Sequence, residues 1–226
     1  MSRFHKIVIA IDGPAGSGKS STAKNVAELL NYTFLDSGAM YRAVTLAVLR
    51  QNTDPRDEEN VAKIVDSCDI QFKDHTVPQR VLLNGNDVSD EIRTPEVTQA
   101  IAPVAANPQV RKILVKKQRH LGENGGIVAE GRDMTSVVFP DAELKVFMQA
   151  SLDERARRRR KDLLEKGKDV SLEQLKVDIQ KRDQSDSERE HGALKMVKDA
   201  LVIDTSNLSM QEQVDLIVEQ ARKKGA

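Results

Sequence analysis

The stretch Gly13-Pro14-Ala15-Gly16-Ser17-Gly18-Lys19-Ser20 has the residue types and spacing of a loop built to hold a triphosphate. Its glycines let successive backbone N–H groups converge on phosphate oxygens, and the helix that begins behind them adds the positive end of its dipole. In this pattern Lys19 reaches the β- and γ-phosphates of ATP and Ser20 ligates Mg²⁺. The cradle comprises Gly13, Pro14, Ala15, Gly16, Ser17, Gly18, Lys19, Ser20 and Ser21. GTPases, motor ATPases and kinases all use such a loop, so other residues must separate them. No Asn-Lys-x-Asp guanine signature occurs, and the run Leu144-Lys145-Val146-Phe147-Met148 does not end in the acidic residue that a magnesium-binding strand of those enzymes carries.

Further charged clusters offer an acceptor side. Asp36-Ser37-Gly38-Ala39-Met40-Tyr41-Arg42 follows an apolar run, with Ser37 read as the N-cap of a helix that carries Arg42 toward a second phosphate. Glu130-Gly131-Arg132-Asp133 follows another such run, and Arg132 has the fork to clamp phosphate bidentately. Arg182, Asp186 and Arg189 fall at i, i+4 and i+7, which places them on one face of a helix. In the basic run Arg155 to Arg160, Arg155, Arg158 and Arg159 share one stripe, suited to closing over ATP phosphates as a lid.

The elements that must position these groups follow from hydrophobic period. Ile7-Val8-Ile9-Ala10-Ile11 is a continuous apolar run ending before Gly13, the mark of a strand buried on both faces. Further strands are expected at Tyr32 to Leu35, Gly126 to Ala129, Leu144 to Met148 and Ala200 to Ile203, with helices such as Thr22 to Leu30 and Gln211 to Arg222 between or after them. Strand and helix alternate, which predicts an α/β fold on a parallel sheet. The segment Asp69 to Asp90 breaks that rhythm with short apolar runs around the turn pair Asn84-Gly85, and reads as a small β insert.

Composition narrows the class. The chain of 226 residues balances 35 basic against 35 acidic side chains, so no global field holds a nucleic acid or an anionic membrane. Aromatics for base stacking are scarce, with five Phe and two Tyr. The single Cys68 has no internal disulfide partner, no apolar run is long enough to span a bilayer, and no apolar signal segment precedes Lys6. A cytoplasmic monomer without nucleic-acid or membrane partners is expected.

Taken together, Asp12 to Ser20, Asp36 to Arg42, Gly131-Arg132-Asp133 and Arg182 through Asp186 to Arg189 closely resemble the bacterial cytidylate kinase family. The resemblance extends over essentially the whole chain, including Val137-Val138-Phe139-Pro140-Asp141-Ala142 and the insert near Asp69 to Asp90. It implies one domain over 1–226: a five-stranded parallel P-loop core flanked by helices, a monophosphate-binding region at about 37–110 with its β insert at about 69–90, and a mobile lid at about 155–172. It implies conversion of CMP and dCMP to the diphosphates in pyrimidine nucleotide metabolism, with ATP as donor and Mg²⁺ as cofactor. By motif match, Lys19, Arg132, Arg158 and Arg189 would be catalytic. Asp36, Ser37, Arg42, Arg132 and Arg189 would surround the acceptor phosphate, Arg182 and Asp186 would address the ribose, and Arg111 and Asp133 would read the cytosine.

Two positions depart from the family pattern. Ala102 stands where a base-recognising serine is common, and Glu130-Gly131-Arg132-Asp133-Met134-Thr135 stands where Asp-Gly-Arg-Asp followed by Ile-Gly or Met-Gly is more usual. Two rival readings remain at the level of sequence. A kinase for a small-molecule hydroxyl would recruit a base such as Asp36, and a nucleotide-binding regulator would use the basic helix on nucleic acid.

Overall fold

The computed structural model describes residues 6–73, 79–165 and 167–226. In chain order the elements are β1 (Val8–Asp12), α1 (Lys19–Leu30), β2 (Thr33–Asp36), α2 (Ser37–Arg50), α3 (Glu58–Ser67), β3 (Ile70–Lys73), β4 (Arg80–Leu83) and β5 (Asn86–Asp87). They continue with α4 (Pro95–Ala106), α5 (Pro108–Gly122), β6 (Ile127–Gly131), β7 (Leu144–Gln149), α6 (Leu152–Leu164), α7 (Leu172–Ser187), β8 (Leu201–Asp204) and α8 (Met210–Lys223). A 3-10 turn at Glu91–Arg93 precedes α4, and a π-helical turn at Met134–Val138 follows β6. The chain divides into two compact units, Met1–Phe34 with Asn124–Ala226, and Leu35–Glu123.

The first unit is built on a five-stranded sheet of order β2-β6-β1-β7-β8, with the division between units falling inside β2. β1 runs parallel to β6 on one side and to β7 on the other, and β7 runs parallel to β8. This central placement explains why β1 reads as a continuous apolar run: both its faces are covered, so Ile9, Ala10 and Ile11 are fully buried. Ile7, Ile9 and Ile11 pack with Val128 and with Val146 and Met148 of neighbouring strands. Val26 and Ala27 of α1 and Val214, Ile217 and Val218 of α8 complete this core. α8 starts on a reciprocal capping box, Ser209 with Glu212.

Register decides which side chains share the carboxyl edge of this sheet. Asp12, the last residue of β1, lies opposite Gly131 in β6 and Phe147 in β7. The loop after β1 therefore emerges beside the segment that follows β6, at the edge where open α/β sheets bind ligands.

The second unit carries α2 to α5 and an antiparallel sheet of order β3-β4-β5. The strands fall within the expected insert at about 69–90, of which residues 74–78 lie outside the described residues. Asn84 and Gly85 both take positive φ, 51° and 80°, as a two-residue hairpin turn requires, and join β4 to β5. Among the described residues, no helix is long and apolar enough to cross a membrane.

Candidate active site

The loop Gly13–Ser17 links β1 to α1, and the geometry of its glycines shows what the sequence demanded. A Cβ on Gly13 would sit 2.1 Å from the carbonyl oxygen of Met148, so only glycine lets the backbone leave β1 here. Gly18 is the N-cap of α1 with φ 89°, and no side chain caps the helix there. The first turn of α1 also lacks an acidic residue. Its N–H groups and positive dipole end are thus directed at the loop and met by no carboxylate of the helix itself, the arrangement that receives phosphate.

Lys19 is buried at the start of α1, donates to the carbonyl of Pro14 at 3.4 Å, and lies 3.6 Å from Oε2 of Glu130. The Ser20 hydroxyl donates to Oε1 of the same carboxylate at 2.7 Å. Glu130, on β6, is the acid that the loop's lysine and serine both face. Sequence reasoning missed it because it sought an acid at the end of β7, which closes on Gln149. The only local signal was an acid preceding Gly131 at a strand end, and its nearness to Ser20 depends on β6 lying beside β1, which no local pattern displays.

Two arginines of α6 reach the loop. The Arg155 Nη1 donates to the carbonyl of Ala15 at 3.3 Å and to Asp183 at 2.6 Å. Arg158 donates through Nη1 to the Thr205 hydroxyl at 3.0 Å and through Nη2 to the Thr205 carbonyl at 2.6 Å, while that hydroxyl donates to the carbonyl of Ser17 at 2.8 Å. Arg159, on the same stripe of α6, is exposed to solvent. Residue 166 of the expected lid lies outside the described residues.

A third arginine, Arg132, follows β6 and belongs to a separate cluster. Its Nε donates to Oδ2 of Asp186 at 2.6 Å, and Arg189 approaches Oδ1 of the same carboxylate at 2.7 Å. Asp186 is almost fully buried. Burial alone would raise its pKa, but Arg132, with Arg189 and Arg182 adding to it, outweighs burial and holds the carboxyl below the usual carboxylate range. Arg189 is not on the helical face predicted for it: α7 ends at Ser187, and Arg189 stands two residues beyond. The i,i+3 pairing with Asp186 survives because a chain leaving a helix keeps the last residues near its final turn. Asp133 is buried beside Arg132 in sequence, at the head of the π-helical turn.

In the second unit, Asp36 rather than Ser37 caps α2. Its Oδ1 accepts the N–H of Ala39 at 2.9 Å, and Ser37 is the first helical residue, buried. Both residues are good caps, and the extended backbone at Asp36 (φ −88°, ψ 96°) gives it the role. Capping engages the carboxylate that the hydroxyl-kinase reading needed as a base. Arg42 donates to the Thr98 hydroxyl at 2.9 Å and to the carbonyl of Ile92 at 3.3 Å. Arg111, buried on α5, donates to the Tyr41 hydroxyl at 3.3 Å. Ala102 is exposed on α4.

Comparison with known proteins identifies the family. The family model described as "Cytidylate kinase" matches residues 9–223. A protein named "Cytidylate kinase" from Bacillus thuringiensis (strain Al Hakam) is 49% identical over 213 residues, covering 94% of this chain and 95% of the relative. One of the same name from Bacillus cereus (strain AH187) matches equally. Among solved structures, an uncharacterized protein from Eubacterium ventriosum ATCC 27560 shares the fold at 15% identity, TM-score 0.50, with 96% of this chain and 99% of that one covered.

Proposed function

The chain belongs to the cytidylate kinase family, and from that premise we propose that it transfers the γ-phosphoryl group of ATP to CMP and dCMP, giving CDP and dCDP. The observation that carries this reading is the pairing, in one unit, of an uncapped helix start bearing Lys19 with a half-buried pair of arginines gathered on the buried Asp186. A phosphate-binding loop explains the donor, and forked cations supply the counter-charge a second phosphate needs.

The acceptor phosphate has a second pKa near 6, so its attacking oxygen is already largely anionic at neutral pH. No general base is required, and positioning with charge stabilisation suffices. In this reading Lys19 follows the transferring group, Arg132 and Arg189 hold the acceptor phosphate with Ser37 and Arg42, and Arg158 serves the donor. Arg182 and Asp186 address the ribose, and Arg111 with Asp133 the cytosine. Ala102 removes one hydroxyl from base recognition, so selectivity rests on the remaining groups.

The residues present suit Mg²⁺. Ser20 and Glu130 offer two hard oxygen donors 2.7 Å apart at the loop, and among the described residues no cluster of three or more His, Cys, Asp or Glu forms a full protein cage. That matches an ion which keeps waters and is held mainly by one or two protein oxygens and substrate phosphates. When bound, it would neutralise charge on the β- and γ-phosphates. Ser20 would ligate it and Glu130 would orient Ser20. We further read residues 1–226 as one kinase domain whose region at about 37–110 binds the monophosphate and whose segment at about 155–172 closes over ATP, working as a cytoplasmic monomer on free nucleotides, in pyrimidine nucleotide metabolism.

Chromatography of nucleotides after incubation with CMP and MgATP tests this. Equal amounts of CDP and ADP are expected. ADP and free phosphate without CDP would contradict the reading.

A further inference from the structure

Asp12 has no part in the chemistry above, yet its surroundings are unusually specific. It is fully buried at the last position of β1, immediately before the phosphate loop. Its Oδ1 accepts the N–H of Met134 at 2.9 Å, and its Oδ2 accepts both the N–H of Thr135 at 2.8 Å and the Thr135 hydroxyl at 2.7 Å. These N–H groups open the π-helical turn Met134–Val138, whose preceding residue, Asp133, gives it no side-chain cap. A buried helical start must have its free donors satisfied, and here the acceptor comes from another strand.

The three bonds have a mechanical consequence. Hydrogen bonds to a carboxylate are short and directional, and they attach the segment directly after Arg132-Asp133 to the residue directly before Gly13. Arg132 is thus held by its guanidinium on Asp186, while Asp12 anchors the main chain two and three residues beyond it. The Thr135 hydroxyl bonds the same oxygen as its own N–H, so it fixes the rotation of the carboxylate as well as its position. Satisfying these donors comes at a cost in buried charge. Burial lifts the Asp12 carboxyl to about 6, with Asp133 adding to the rise, against the lowering by its bonds to Thr135 and Met134. A charged group kept in such a place opposes folding at neutral pH.

We propose that Asp12 and Thr135 form a positioning pair, the Thr135 hydroxyl fixing the carboxylate that keeps Arg132 and Asp133 in place relative to the phosphate loop during transfer. The proposal rests on the kinase reading above. Neither residue touches a substrate in it. Its effect is therefore on the transfer step, with ATP binding left to the loop.

The test compares Thr135→Val, which keeps the shape and loses the hydroxyl, with Thr135→Ser, which restores it. Steady-state constants for CMP and ATP are measured alongside thermal unfolding. Loss of one such bond in the transfer step is expected to lower kcat roughly five-fold, with KM for ATP changed less than about two-fold, and Thr135→Ser is expected to recover the rate. If Thr135→Val does not fold, Thr135→Gly removes the hydroxyl without adding bulk and the same outcomes apply. An unchanged kcat in the hydroxyl-free variant overturns the pairing. So does a loss that Thr135→Ser fails to restore, or one that appears equally in both KM values. Absence of CMP phosphorylation by the unaltered protein would instead refute the underlying kinase reading.

Discussion

Replacing Asp186 with asparagine probes the arginine cluster most informatively. The carboxylate is 2% exposed and accepts from Arg132 at 2.6 Å through one oxygen and from Arg189 at 2.7 Å through the other. Asparagine keeps one acceptor, so one charge-assisted bond is lost, worth about 1.5 to 3 kcal/mol. Two guanidinium groups are also left without their shared counter-charge, in a site where breaking a buried pair costs about 3 to 5 kcal/mol. Since Arg132 and Arg189 retain some contact with water, with side chains 15% and 25% exposed, the lower range applies and about 2 to 3 kcal/mol is expected. Urea unfolding at pH 7 reads it directly, as a lower midpoint at constant slope. The pH dependence supplies a second check. A carboxyl held below its ordinary value of 3.8 stabilises the fold fully above that value and loses the contribution as pH falls through the folded pKa. The gap between the native protein and Asp186→Asn should therefore stay constant from pH 7 to about 5 and close below about 4. A gap under about 0.5 kcal/mol at pH 7, or one unchanged at pH 3, would refute the reasoning.

Other perturbations have equally definite outcomes. Gly13→Ala places a methyl 2.1 Å from the Met148 carbonyl oxygen, so the loop must move, and KM for ATP should rise at least about ten-fold while Ala at an exposed control site leaves it unchanged. Glu130→Gln preserves an acceptor for Ser20 but removes the charge facing Lys19. It should raise the Mg²⁺ concentration needed for half-maximal rate several-fold, and an unaltered requirement would count against its place at the metal. Asp12, raised from 3.8 to about 6 by burial, has the opposite linkage to Asp186. The native protein should gain up to about 3 kcal/mol relative to Asp12→Asn as pH falls from 7 to 4, and a flat difference in urea titrations would contradict this.

Much of this arrangement was legible in the residues. The apolar run before Gly13 fixed β1 because a strand buried on both faces needs no alternation, and Asn84-Gly85 located a hairpin because few residue pairs accept positive φ together. The phosphate loop was equally plain, since every required residue lies within one short segment. What escaped was set by tertiary order. Glu130 and Asp12 acquire their partners because β6 lies beside β1 in register, opposing Asp12 to Gly131, and strand order leaves no mark in a local pattern. The cap of α2 was misplaced by one residue because Asp36 and Ser37 are both competent, and only the backbone angles choose between them. Arg189 was assigned to a helical face because its spacing from Asp186 fits a helix, although α7 has already ended.

Coupled ATP consumption with CMP, dCMP, UMP, AMP, GMP and shikimate offered separately, with a Lys19→Met variant as control, tests the central claim most directly. The account predicts strong turnover with CMP and dCMP, little with the others, and loss of turnover in the Lys19 variant. Equal use of UMP would remove the cytosine selectivity, and no turnover with any monophosphate would contradict the assignment itself.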